Sequence, residues 1–202
     1  MKKGFWMFLL ILGAGLIFAG CASAPTAEIN ATKSAISSAQ TEDVQTYAPE
    51  SLKAAEDQLN QALAEVQTQD GKFAMSRDYK KASELLKSAK DAAEKAVSDA
   101  QAAKAQCKSD AEALIAALPQ TIADAKAALA KAPKGKDTKA DLEAMQNDLK
   151  LAEESLNEAT QAMGQEKFKE ALTKATSAKE KASAVINQVQ QALEKIRGGR
   201  KA

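Results

Sequence analysis

The sequence contains no histidine, the side chain that most often serves as general base and metal ligand near neutral pH. Aromatics are scarce: one Trp, two Tyr and five Phe. Trp6, Phe5, Phe8 and Phe18 all fall in the first twenty positions, which leaves Tyr47, Phe73, Tyr79 and Phe168 for the rest of the chain. The nine glycines lie mostly near the N-terminus, in turns and in the tail, so no Gly-rich phosphate loop is present. Neither charge sign dominates, with 28 basic and 27 acidic residues. A nucleic-acid-binding domain would carry a basic excess on one face. Carboxylates are plentiful but interleave with Lys, as on a solvated helix surface. These absences point away from an enzyme, a metal site, a bound cofactor and a nucleic-acid partner.

What is present begins with "MKKGFWMFLLILGAGLIFAGC". Lys2 and Lys3 precede an uncharged apolar run to Phe18, the order of a secretory signal peptide. A transmembrane helix is the competing reading, but the run is interrupted by glycine and shorter than the roughly 18–20 residues a bilayer core requires. Phe18-Ala19-Gly20-Cys21 resembles a bacterial lipobox. That resemblance implies cleavage between Gly20 and Cys21 and lipid attached to the sulfur and new amino terminus of Cys21. Two or three acyl chains anchor firmly where one holds marginally, at about 0.8 kcal/mol per buried methylene. Loss of residues 1–20 takes away Lys2 and Lys3 and turns the net charge from +1 to −1. Ala22, where Asp would imply inner-membrane retention, leans towards an outer-membrane position facing the periplasm.

The remainder is rich in alanine, lysine, glutamate and leucine, strong helix formers. "LKAAEDQLNQAL" (52–63) aligns with "LKLAEESLNEAT" (149–160), and 78–101 aligns with 167–190, setting Tyr79 opposite Phe168. Each segment carries apolar residues at alternating steps of three and four. They run Leu52, Ala55, Leu59, Ala62, Val66; then Tyr79, Ala82, Leu86, Ala89, Ala93, Ala96, Ala100, Ala103, Cys107. Their repeats run Leu142, Met145, Leu149, Ala152, Leu156, Ala159, Met163; then Phe168, Ala171, Ala175, Ala178, Ala182, Val185, Val189, Ala192, Ile196. That pattern predicts an all-α fold of elongated antiparallel hairpins, packed as a coiled-coil-like bundle and internally duplicated. Pro119 is expected to end a helix at Leu118. This gives a signal peptide (1–20), an anchor linker (21–26), helical units at 27–118 and 119–197, and a basic tail (198–202). Pro49 suits a helix's first turn, and Thr138 with Asp141 suggests a capping box.

"TYAPESLKAAEDQLNQA" followed by "DYKKASELLKSAKDAAEKA" resembles a family of small bacterial envelope lipoproteins. Their Ala-rich helical domain, which starts at Tyr-Ala-Pro-Glu (here Tyr47–Glu50), is a domain of unknown function. The resemblance implies an outer-membrane-associated helical lipoprotein and supplies no mechanism.

Three features compete for a role. Phe73 and Met75, in the turn of the first hairpin, are either a partner contact or a flap folded over the bundle end. Cys107 either pairs with another chain or aligns with Ile196 as a small hydrophobe on the seam. Lys131, Lys134, Lys136 and Lys139 in the linker, and Lys195, Arg197, Arg200 and Lys201 at the tail, suit anionic headgroups or cell-wall polymer. The expectation is a non-catalytic adaptor, held at the membrane by Cys21 and bound to an envelope protein. The alternative is a structural tether or spacer between outer membrane and cell wall. Nothing in the sequence fixes an oligomeric state.

Overall fold

The computed structural model describes residues 23–133, 135 and 138–199. The signal segment, Gly20, Cys21, Lys134, Lys136 and positions 200–202 lie outside the described residues. Among those described the protein is all-α: α1 (Thr26–Ala39), α2 (Glu42–Tyr47), α3 (Pro49–Asp70), α4 (Lys80–Ala130), α5 (Lys139–Gly164) and α6 (Phe168–Gly199). A single 3₁₀ turn spans Ala74–Ser76, and no strand occurs among the described residues. The chain divides into two compact units, one ending at Asp99 and one beginning at Ala100.

The first unit is built from α1, α2, α3 and the start of α4. Hydrogen bonds from Lys81 to Glu65 and from Ser88 to Gln58 pair rising numbers on α4 with falling numbers on α3, so the two run antiparallel. Ser51, near the start of α3, donates to Asp99 at 2.7 Å, in the same sense. α1 lies antiparallel to α3 as well. Ile29 packs on the Val66, Tyr79 and Ala82 cluster, while Gln40 donates to Glu56. The Thr32 hydroxyl, buried on α1, donates to the Leu86 carbonyl at 3.1 Å.

The Tyr47–Glu50 motif is a helix stop followed by a helix start. Thr41 caps α2 by accepting from the Val44 N–H, and α2 ends at Tyr47. A residue before proline is pushed out of the α region, and Ala48 accordingly takes φ −139° and ψ 46°. Pro49 then occupies the first turn of α3, where its missing N–H costs nothing.

The second unit repeats this order of directions with the rest of α4, α5 and α6. Ala111 clusters with Ala162 and Ala171, Leu118 with Ala159, Ala175 and Ala178, and Ile122 and Ala125 with Leu149, Ala152, Ala182 and Val185. Numbers rise together on α4 and α6 and fall on α5. The aligned repeats match in burial: Ala55 and Ala152, Ala62 and Ala159, Tyr79 and Phe168, and Ala82 and Ala171 are all core residues.

Three expectations change. Pro119 does not end a helix, because α4 continues through it. Interior proline costs about 3 kcal/mol, yet Leu118 and Ile122 on either side are 1% and 5% exposed. Each such side chain contributes roughly 1.5–3 kcal/mol on burial, enough together to offset the proline, whose own position is exposed. Beyond Cys107 the buried positions are Ala111, Leu118, Ile122 and Ala125, one residue on from the three-and-four steps of the first stripe. Second, Thr138 makes no side-chain cap on α5. Its hydroxyl accepts from the Gly135 N–H and sits within hydrogen-bond distance of the Pro133 carbonyl, so it ties the preceding loop instead. Third, Cys107 is half-buried and Ile196 is 44% exposed, so the seam is fully covered at neither position.

The α5–α6 turn closes as a Schellman motif: Lys167 N–H bonds the Ala162 carbonyl and Glu166 N–H the Met163 carbonyl. The left-handed position it requires is held by Glu166, at φ 59°. The nearby Gly164 lies inside α5, where a side chain would meet open space.

Two substitutions test these readings by urea denaturation. Glu166→Gly relieves the left-handed backbone and is expected to stabilise the protein by about 1 kcal/mol. Pro119→Ala restores a donor within α4 and is expected to stabilise by roughly 1–3 kcal/mol. An unchanged midpoint for the second would mean that α4 has already relaxed around the proline.

Candidate functional site: the turn between α3 and α4

The turn at 71–79 is short of backbone partners of its own, and its base is held by side chains. Arg77 donates from Nε to the Lys72 carbonyl at 3.1 Å and from Nη2 to the Asp70 carbonyl at 2.9 Å. The Tyr79 hydroxyl donates to Asp70 Oδ1 at 2.5 Å. The Gln69 side chain, buried at the end of α3, accepts from the Asp78 N–H and donates to Glu65. Asp78 in turn accepts from the Lys80 N–H and so starts α4. Among the described residues, no buried side-chain polar atom lacks a hydrogen-bond partner.

Above this base, Phe73 and Met75 point away from the core at 75% and 85% exposure. They do not fold back over the end of the bundle. The reason is local: Phe73 starts the 3₁₀ turn Ala74–Ser76, and the Ser76 N–H bonds its carbonyl. The Arg77 clamp fixes the chain just beyond. The segment "GKFAMSR" (71–77) thus presents two large apolar side chains, two basic residues and no carboxylate.

Electrostatics strengthen the base rather than create a reactive group. The Glu65 carboxyl is held below its ordinary value, first by the Lys81 ammonium at 2.8 Å and then by Gln69. The Tyr79 phenol is raised, because losing its proton would place a phenolate against Asp70. At the far end of α3, Asp99 is lowered by Lys95 and then by Ser51.

Other surfaces hold less. An open groove of about 470 Å³ between α1 and α4 is lined by Glu28, Thr32, Ser83, Leu86, Lys87 and Lys90. Lys108 lies 5.7 Å from the Phe168 ring centroid, a cation–π contact at the start of α6. No group of three or more Cys, Asp or Glu among the described residues could hold a metal ion. By length and composition α4 could cross a membrane, but it sends Leu118, Ile122 and Ala125 into the core of its unit.

Sequence reasoning located Phe73 and Met75 but missed the clamp beneath them. Arg77, Gln69 and Asp70 are polar and form no part of the apolar stripe, and their partners are backbone atoms, Glu65 one turn back on α3 and Tyr79 across the turn. Residues 27–114 match a family described as a domain of unknown function (DUF4398). The span takes in α1 to α3 and the first part of α4, with the Tyr47–Glu50 motif and the turn. Neither a curated protein nor a solved structure matches the chain.

The Lys81–Glu65 bond is open to a direct test. Since the folded carboxyl is lowered, the bond's contribution is present above the ordinary value of 4.5 and is lost as pH falls through the folded value. Lys81→Met is expected to move the Glu65 titration, followed by carbon NMR, back up towards 4.5. A titration that stays put would assign the lowering to Gln69.

Proposed function

We propose that this chain is a non-catalytic, lipid-anchored interaction module of the bacterial cell envelope. Acylated Cys21 is its anchor, and the 71–77 turn is its contact element. The observation that carries the reading is a pair of large apolar side chains, Phe73 and Met75, held out in solvent on a clamped turn. Solvent-facing apolar side chains grouped on one element mark contact surfaces more often than scattered ones do. The adaptor's partner is an envelope protein or cell-wall component, met from the outer membrane's periplasmic side. The second reading, a tether between outer membrane and cell wall, is favoured by exposed Lys131 and Lys195 next to the basic linker and tail.

Cys21→Ser separates anchored from soluble. The variant is expected to lose incorporation of labelled palmitate and to leave the membrane fraction, while helicity is unchanged. Continued membrane association without label would overturn the anchor. In the same fractionation, the tether reading requires protein on the sacculus that is lost when 198–202 are deleted.

A further inference from the structure

We infer that the Phe73–Met75 turn seats on the lipid surface of the membrane that holds the anchor, giving the first unit a second point of attachment. The inference rests on the proposed acylation of Cys21 and gives the turn to lipid, which leaves the adaptor's partner the helical faces of the unit. It follows from where Ala24 packs. Ala24 packs against the cluster of Val66, Tyr79 and Ala82, and these residues sit at the turn end of α3 and α4. Two residues, Ala22 and Ser23, lie between Cys21 and Ala24, and the three Cα steps give a covalent reach of at most about 10 Å. An acylated Cys21 therefore holds the turn end of the unit next to the bilayer. The connection between α1 and α3 lies at the other end of α3, whose 22 residues span roughly 33 Å.

The turn has the composition such a position needs. Phe73 and Met75 are exposed, Lys72 beside them is exposed, Arg77 follows, and no carboxylate lies between Gly71 and Arg77. Apolar side chains enter the headgroup and acyl boundary while basic residues meet anionic lipid. The nearest acids flank the turn at exposed positions and are each engaged: Asp70 accepts from Tyr79, and Asp78 accepts from the Lys80 N–H. A protein partner reaching this turn would have to fit between it and the membrane.

Trp6 belongs to the 1–20 segment, so Phe73→Trp places the only tryptophan in the mature chain. The protein purified from membranes is reconstituted in vesicles of phosphatidylethanolamine and phosphatidylglycerol with brominated acyl chains. Its intact mass is measured in parallel. Gln45→Trp, on exposed α2 at the opposite end of the unit, is the control, and Met75→Trp is a second probe of the turn. The expected result is acylated Cys21, with blue-shifted emission and bromine quenching at 73 and 75 and neither at 45. Acylated protein whose 73 and 75 probes emit as in water overturns the lipid seat and leaves the anchor standing. A cross-link from 73 to one protein would then assign the turn to that partner. Quenching at 45 as well overturns the seat in favour of a unit lying flat. A mass without acyl chains removes the anchor, and the inference with it.

Discussion

Alanine at the seam sets the terms for everything else in this structure. Ala55, Ala62, Ala82, Ala89, Ala96, Ala152, Ala159, Ala171, Ala175, Ala178 and Ala182 have no exposed surface at all. Methyl groups facing methyl groups let helix axes approach to the near end of the 8–10 Å range. They leave no room for anything larger, since an extra methylene in a well-packed core typically costs about 1–3 kcal/mol. They also contribute little each, because stabilisation follows the area removed from water. Close approach is thus bought with a thin core, and the few large side chains carry a disproportionate share. Leu86 and Leu118 are each 1% exposed, and Val185 and Val189 hold the same role on α6. Tyr79 and Phe168 close the first turn of the helices they introduce. Polar anchors such as Thr32 to Leu86 and Ser51 to Asp99 then fix register where alanines alone would slide.

This dependence explains what could be read in advance. A seam of small residues at steps of three and four is a periodic signal, and nearly every stripe position from Leu52 to Val189 is buried or half-buried as its spacing requires. Rules that act at one position were less secure. The Pro119 rule describes an isolated helix, and burial of Leu118 and Ile122 outweighs it. The capping-box pattern at Thr138 and Asp141 ignores the loop, whose Pro133 and Gly135 offer the hydroxyl other partners. Cys107 was aligned with Ile196 through the repeat, and alignment carries residue type but not how much chain packs over each position. Glu166 gave no signal: a glycine stands two residues before the left-handed site, and the turn forms around a glutamate regardless.

The candidate site was half legible for a related reason. Phe73 and Met75 stand out because apolar residues break the composition of a polar turn. What holds them out is tertiary. Arg77 ties the Asp70 carbonyl at the end of α3 to the Lys72 carbonyl in the turn, and Tyr79 bridges to Asp70, so the turn is preorganised before it meets anything. Without that clamp two exposed apolar side chains on a flexible loop would fold onto the nearest apolar surface, here the Val66 and Tyr79 cluster.

The same cluster sets the direction in which the turn faces. Ala24 and Ile29 pack on it from α1, so the start of the helical chain and the turn share one end of the first unit. For a chain that Cys21 would hold to a membrane, the packing of one small residue thereby decides whether an exposed aromatic looks out into the periplasm or down at lipid. A turn built to catch a distant partner would sit better at the Tyr47–Glu50 end, roughly a full helix length away. The second unit offers an internal comparison. Its equivalent turn is trimmed to Gln165, Glu166 and Lys167, with no exposed apolar residue, although the helices on either side match their counterparts in burial. The apolar extension is therefore not needed to close an alanine-seamed hairpin, and it sits only where the chain emerges from its proposed anchor.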